Sequence, residues 1–463
     1  YWNDIHDHKS ARIRDIDAEH PLTLVSNVDI RDQGAITGMA LSPDGTLLAT
    51  CCNLGSVKLW DLASFTMVQK LRDATEPNID EFYVCKFTPD HSHLIVGGKL
   101  KDRMRWSEAD DDNHILPCPI KIFNVTSSKV VARLDGHSEE ILCIKRLQFK
   151  GDNYLISTSQ DGYVIRWKLD DDWCTLLEKK AMEDGVTCMA FTVSFVPNTG
   201  NKYFLGACDD NIKLYDFENA SLLKTFENIY SSYCDCGKFI ECLEVPIPGQ
   251  SEATVADASA MLVSQADNGA NSKTNGKSKA NATAVVKPLE LPTRPFAYFV
   301  TRGVELLDAE NNTIASRPNT CTLHRLLYPN SEYDSFDLEE IRRYHHAEYV
   351  SNSWLIKVAS NGRYLCAPTL TGQTFVFHLP TGKVTAVLKG HEEIEVRDVL
   401  FHPSRNLLFT SADDGCVKVY TQTPDAIERE IEACLNGGAY ATKSAGGLNT
   451  SAPCEDDAPV DID

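Results

Sequence analysis

The chain has 463 residues, 43% apolar and 24% charged, with 45 Lys and Arg against 66 Asp and Glu for a formal charge of −21. That length allows two or three domains or one large repeat body, and the apolar content supports a sizeable core. The acidic balance excludes a general polyanion or anionic-lipid binder, and no apolar run approaches the roughly 18 residues of a membrane span. The 16 Cys are spread through apolar runs, as Cys51, Cys85 and Cys366 are, which is the distribution of reduced core thiols rather than of a disulfide framework.

Residues 1–20 read as an N-terminal extension, and Leu22–Asn27 as an isolated strand. Ile36–Pro43 is a strand ending at the Asp44-Gly45 turn. Leu48–Asp61 then consists of two alternating runs joined at Asn53-Leu54-Gly55, the pattern of a β-hairpin. The hairpin returns as Leu155–Trp167 around Asp161-Gly162, as Phe204–Asp216 with one residue fewer, and as Leu408–Tyr420 around Asp414-Gly415. Such self-similarity denotes a repeat architecture. Seven units fit, with third strands Val57–Leu62, Ile120–Val125, Val164–Leu169, Ile212–Phe217, Val304–Ala309, Thr374–Leu379 and Cys416–Thr421.

Several segments break the rhythm. Residues 99–118 hold Lys101, Arg103, Arg105 and Trp106, followed by a run of acids. Cys234 and Cys236 are expected on one side of a core strand. Residues 249–290, rich in Ser, Ala, Asn, Lys and Thr, lack the apolar content to offset ordering entropy and are expected to be disordered. Within 328–350, Ser335–His346 has acids first and bases last, the charge order of a short helix. Residues 424–438 suit an amphipathic helix with the stripe Ile427, Ile431, Cys434 and Leu435, and 439–463 an acidic disordered tail.

The hairpins, with Trp60-Asp61 and the pairs Gly136-His137 and Gly390-His391, resemble the WD40-repeat family. The resemblance implies an all-β, seven-bladed β-propeller over 21–423, its last blade completed by the orphan N-terminal strand. It implies that 99–118 and 328–350 are insertions on the top face and that 249–290 leaves the bottom. It also implies a hydrogen-bonded tetrad of His137, Ser157, Asp161 and Trp167, echoed by His391, Thr410 and Asp414 with Tyr420 in the Trp place. In that setting His, Ser and Asp are structural and not a catalytic triad. Lys101, Arg103, Arg105, Trp106, Arg342, Arg343 and His345 are the candidate partner-binding residues.

No phosphate loop, nucleophile motif or zinc spacing stands out, and Cys234-Asp235-Cys236 lacks a second pair. The expectation is a non-enzymatic intracellular scaffold, nuclear or cytoplasmic, without cofactor or metal. It would bind proteins or peptides, basic segments among them, and neither nucleic acid nor membrane. A chromatin-associated reader of basic, histone-like tails is the alternative, since the −21 charge suits a basic partner. A ubiquitin-ligase substrate receptor is a further alternative. Receptors of the cullin-4 type carry Trp-Asp-x-Arg at a repeat's end; Trp60-Asp61-Leu62-Ala63 lacks the Arg, and Trp167-Lys168 departs altogether.

Overall fold

Each repeat folds into a small antiparallel sheet whose burial falls from the axis of the ring to its rim. In blade one the strands Ile36–Leu41, Leu47–Cys52, Val57–Asp61 and Met67–Leu71 pair in chain order. The inner three are largely buried, whereas Met67 and Val68 on the outermost are 50% and 49% exposed. Gly55, Gly162, Gly372 and Gly415 turn the second strand into the third at φ values of 69°, 82°, 79° and 71°, the left-handed region that favours glycine. The computed structural model describes residues 13, 15–73, 75, 79–100, 104–109, 111–182, 189–209, 211–244, 292–308, 313–315, 321–350 and 355–437.

Seven such sheets form a β-propeller: blade one (36–71), two (79–137), three (141–181), four (190–226), five (233–344), six (359–388) and seven (396–421). Blade seven has only three strands from its own repeat, and the N-terminus supplies the fourth. Thr23 and Leu24 pair with Thr421 and Tyr420, and Ile30 and Arg31 with Val417 and Cys416. This closure covers the edge that Cys416–Thr421 would otherwise expose.

Two further segments clasp the closure. Ile13 and Ile16 are buried against Tyr364, Leu388, Phe401 and Tyr420, Ile16 N donates to Tyr364 Oη at 2.9 Å, and Arg363 pairs with Asp15 at 2.6 Å. The helix Pro424–Gly437 buries Ile427 and Ile431 against Val25, Leu62, Phe65 and Leu407. Arg405 reaches its Glu430 at 2.6 Å. Its apolar stripe is shorter than the sequence suggests, because Cys434 is exposed and Leu435 is 57% exposed. No helix among the described residues is long and apolar enough to cross a membrane.

Blade five departs most from expectation. Its strands are Tyr233–Ile240, Phe296–Asp308, Cys321–Leu327 and Asp337–Tyr344. Val304–Asp308 is thus the end of a long second strand, and the third strand is Cys321–Leu327. Residues 328–350 are not a top-face helical insertion, since Asp337–Tyr344 is the blade's fourth strand. A bulge places Glu340 opposite His324 and Arg342 opposite Leu323, skipping Ile341. That extra residue stretches the apolar spacing to Leu338, Ile341, Tyr344, which imitates helical periodicity. A second bulge at Asp235 turns Cys234 and Cys236 to opposite faces, one packed toward blade four and the other toward blade six. In 99–118 the strands Met104–Ser107 and Asp112–Ile115 form a hairpin of their own. Residues 249–290 and 439–463 lie outside the described residues.

Around the axis, the blades are tied by Lys357 at the start of blade six. Its Nζ donates to the Tyr83 carbonyl of blade two at 3.1 Å, the Thr37 carbonyl of blade one at 3.4 Å and Asp398 Oδ2 of blade seven at 3.1 Å. The Asp398 side chain is 2% exposed, and it also accepts from Met39 N at 3.0 Å. One ammonium therefore bridges four blades, including the two on either side of the closure.

Burial of the helix stripe makes a sharp contrast. Ile431→Asp is expected to lower the unfolding free energy by about 3 kcal/mol, and Leu435→Asp by less than about 0.5 kcal/mol, as read by denaturant melts of the full chain.

Candidate interaction face and the seams that hold it

Because neighbouring strands alternate in direction, the blade-to-blade linkers and the turns between second and third strands emerge at one end of the ring, the top face. The seams beneath this face are polar. At the seam of blades two and three His137, the last residue of blade two's outer strand, sits 3.0 Å from Asp161 Oδ2 through Nδ1 and 2.7 Å from Ser157 Oγ through Nε2, and Trp167 Nε1 donates to the same Oγ at 2.7 Å. Indole N–H to serine oxygen, serine O–H to Nε2, and Nδ1–H to carboxylate make a one-way relay in which every buried donor has an acceptor. Burial alone would raise Asp161. The His137 ring and the N–H groups of Tyr163 and Ser138 outweigh it and hold the carboxyl below its usual value.

Blade seven places His391 at 2.9 Å from Asp414 and 2.8 Å from Thr410. Tyr420, pushed up to about 12 by burial, takes the indole's place. Blade one keeps only Trp60 Nε1 to Thr50 Oγ1 at 3.0 Å, and its Leu54 stands where Asp161 does in blade three. Blade two substitutes a buried ion pair, Lys121 with Asp73 at 2.6 Å.

Blade five carries a relay written in other letters, and it escapes the sequence reading for that reason. Tyr230, three residues before the first strand where His137 is four, contacts Thr301 Oγ1 at 3.0 Å, and His324 Nε2 meets Thr301 at 2.9 Å. Ser231 N donates to Glu305 at 2.9 Å, as Ser138 N does to Asp161 at 2.9 Å. Thr301 and Glu305 keep the four-residue spacing of Ser157 and Asp161, which is the one signal the sequence offered. Next to this relay Arg302 and Asp235, both with side chains 0% exposed, form an ion pair, and Ile356 N donates to Asp235 at 3.3 Å. Burial lifts the Asp235 carboxyl to about 6 against the pull of Arg302.

The top face itself shows apolar side chains on three successive blades: Leu54 in the blade-one turn (50% exposed), Trp106 on the blade-two hairpin (54%) and Tyr163 in the blade-three turn (47%). Ile394, in the linker to blade seven, is also exposed, with Glu392 and Glu393 beside it. Of the candidate partner-binding residues, Lys101 and Arg103 lie outside the described residues, and Arg105 is placed only as part of the strand Met104–Ser107. Arg342 and Arg343 are engaged within the protein. Arg342 donates to the Thr381 carbonyl at 3.0 Å, and Arg343 donates to both Glu340 oxygens at 2.9 Å. His345 is exposed just past the fourth strand of blade five. Among the described residues no group of three or more His, Cys, Asp or Glu is arranged to hold a metal ion.

A closed ring of seven four-stranded antiparallel sheets defines the chain as a β-propeller. A family model described as WD domain, G-beta repeat matches residues 25–61, 128–168 and 382–421. Each match runs from the outer strand of one blade through the third strand of the next, and with the seven blades it places the chain in the WD40-repeat family. A curated relative, DDB1- and CUL4-associated factor 10 of Xenopus tropicalis, is 27% identical over 157 residues, covering 34% of this chain. The alignment spans 29% of that relative's length.

Two measurements probe the seams. Ser157→Ala strands the Trp167 N–H and the His137 Nε2, and is expected to cost about 2–3 kcal/mol in a denaturant melt. Burial holds the His324 imidazole down to about 4 from 6.5. Below pH 6.5 the unfolded chain therefore takes up a proton that the folded one refuses, and stability falls as pH drops toward 4, by at most about 3 kcal/mol. The difference in stability between the parent chain and His324→Gln should shrink or reverse across that window, since Asp235 is present in both and cancels.

Proposed function

We propose that this protein is an interaction scaffold that holds a protein partner across the top face of blades one to three. The observation that carries it is the arc of Leu54, Trp106 and Tyr163, each about half exposed on a rigid turn or hairpin. Aromatic side chains held at low entropy cost are the anchors that protein interfaces use. The net charge of −21 and the acids of the linkers favour partners with basic segments, chiefly through encounter rate and specificity. Affinity purification of the full chain beside a Leu54→Ser, Trp106→Ala, Tyr163→Ala variant tests the reading, with circular dichroism as a folding control. Loss of specific partners is expected; an unchanged partner set from a folded variant overturns it.

A second reading, that the chain is a ubiquitin-ligase substrate receptor, is favoured by its likeness to DDB1- and CUL4-associated factor 10. Ala63, where cullin-4-type receptors carry Arg, weighs against it. Co-purification of DDB1 and CUL4 with the full chain supports this reading, and their absence at near-stoichiometric recovery of other partners removes it.

A further inference from the structure

The seam between blades four and five contains a cleft of about 250 Å³, lined by Phe226 at the end of blade four, by linker residues Glu227, Asn228 and Ile229, and by His324, Leu338 and Glu340. The chain's own repeats show what fills this place elsewhere. Trp167 pairs across strands with Lys179 in blade three, and His324 with Glu340 in blade five. Asp135 and Asn228 each lie two residues before the relay residue of their seam, His137 or Tyr230. In blade three, Lys179 carries its ammonium over the indole, 5.9 Å from the ring centroid, and donates to the Asp135 carbonyl at 3.1 Å.

Blade five keeps the frame and removes the occupant. Imidazole is smaller than indole, and a carboxylate paired with Arg343 stands where the lysine did, so the seat is open and lacks an ammonium of its own. Phe226, Ile229 and Leu338 give it apolar walls. His324 is 3% exposed and spends Nε2 on Thr301 at 2.9 Å. The Thr301 hydroxyl also lies 3.0 Å from Tyr230 Oη and 3.4 Å from the Thr322 carbonyl. Among the described residues the other ring nitrogen, Nδ1, has no hydrogen-bond partner. Arg343 neutralises Glu340 from one side, and Glu227 restores a negative bias to the lining.

We propose that this cleft is a binding site for a lysine side chain of a protein partner, its methylenes along the apolar walls and its ammonium among Glu340, Glu227 and His324. The inference rests on the scaffold reading only in drawing the lysine from a partner. Its test uses a small probe, so it fails or stands independently of any purification result. The full chain, labelled with ¹³C and ¹⁵N at histidine, is titrated with Nα-acetyl-lysine-N-methylamide and with the norleucine analogue, which lacks the ammonium; His324→Gln assigns the resonance. The lysine probe is expected to shift the His324 ring signals saturably at millimolar concentration, and the norleucine probe to leave them in place. Glu340→Lys restores an internal occupant at an exposed position and should weaken the response at least tenfold. Unmoved His324 signals, equal shifts from norleucine, or an undiminished response in Glu340→Lys would each overturn the proposal.

Discussion

Ring closure is the constraint on which this structure depends. No blade has a core of its own: every apolar cluster joins residues of neighbouring blades, as when Ile30 and Val417 of blade seven pack with Met39 and Trp60 of blade one. A sheet that ends with an open partner strand leaves both its hydrogen bonds and one wall of a cluster unmade. The pairing of Thr23–Leu24 and Ile30–Arg31 with Cys416–Thr421 completes both together. The extension at Ile13–Ile16, the helix Pro424–Gly437 and Lys357 then lock the same sector from the rim, the bottom and the axis. The rigidity of the top face follows from that locked circle, which allows turns such as Asn53–Ser56 and Asp161–Tyr163 to carry exposed apolar groups without yielding.

Within the circle, each seam meets the same demand by different chemistry. A linker and a turn must come together at the top of every blade, and their buried polar groups must be satisfied. Blade three uses a hydrogen-bonded relay ending on a carboxylate, blade two the Lys121–Asp73 pair, and blade five both a relay and the Arg302–Asp235 pair. Buried ion pairs of this kind add little net stability compared with well-packed apolar groups, but breaking one partner is costly. They therefore fix how adjacent blades register more than they strengthen the ring. Where a repeat changes its letters, space changes too: blade five has His where blade three has Trp and Glu where it has Lys, and a cleft lies at that seam.

Much of this was legible in the sequence. The hairpin spacing, the Gly turns and the orphan strand Leu22–Asn27 determine blade number and closure, because period-2 alternation and left-handed turns are local signals. The relay residues of blades three and seven follow instead from the resemblance to the WD40 repeat, not from alternation or turns. Blade five was not, since a bulge at Ile341 converts strand alternation into helical spacing and Tyr230, Thr301, Glu305 and His324 differ position by position from His137, Ser157, Asp161 and Trp167. Nor does sequence reveal that Arg342 and Arg343 are held by Thr381 and Glu340, or that Lys357 crosses the axis, because those contacts join residues far apart in the chain. The face toward a partner is the least legible part, as exposure depends on how neighbouring blades shade each turn.

Native-state hydrogen exchange tests the dependence on closure most directly. If the ring opens only as a whole, the Val25 amide, bonded to the Val419 carbonyl at 2.9 Å, should exchange with the same free energy as inner-strand amides of blade three such as Ile144 and Ile156. Exchange at Val25 and across Val396–Phe401 that is faster by orders of magnitude, while blade three stays protected, would show that blade seven opens alone and would contradict the account.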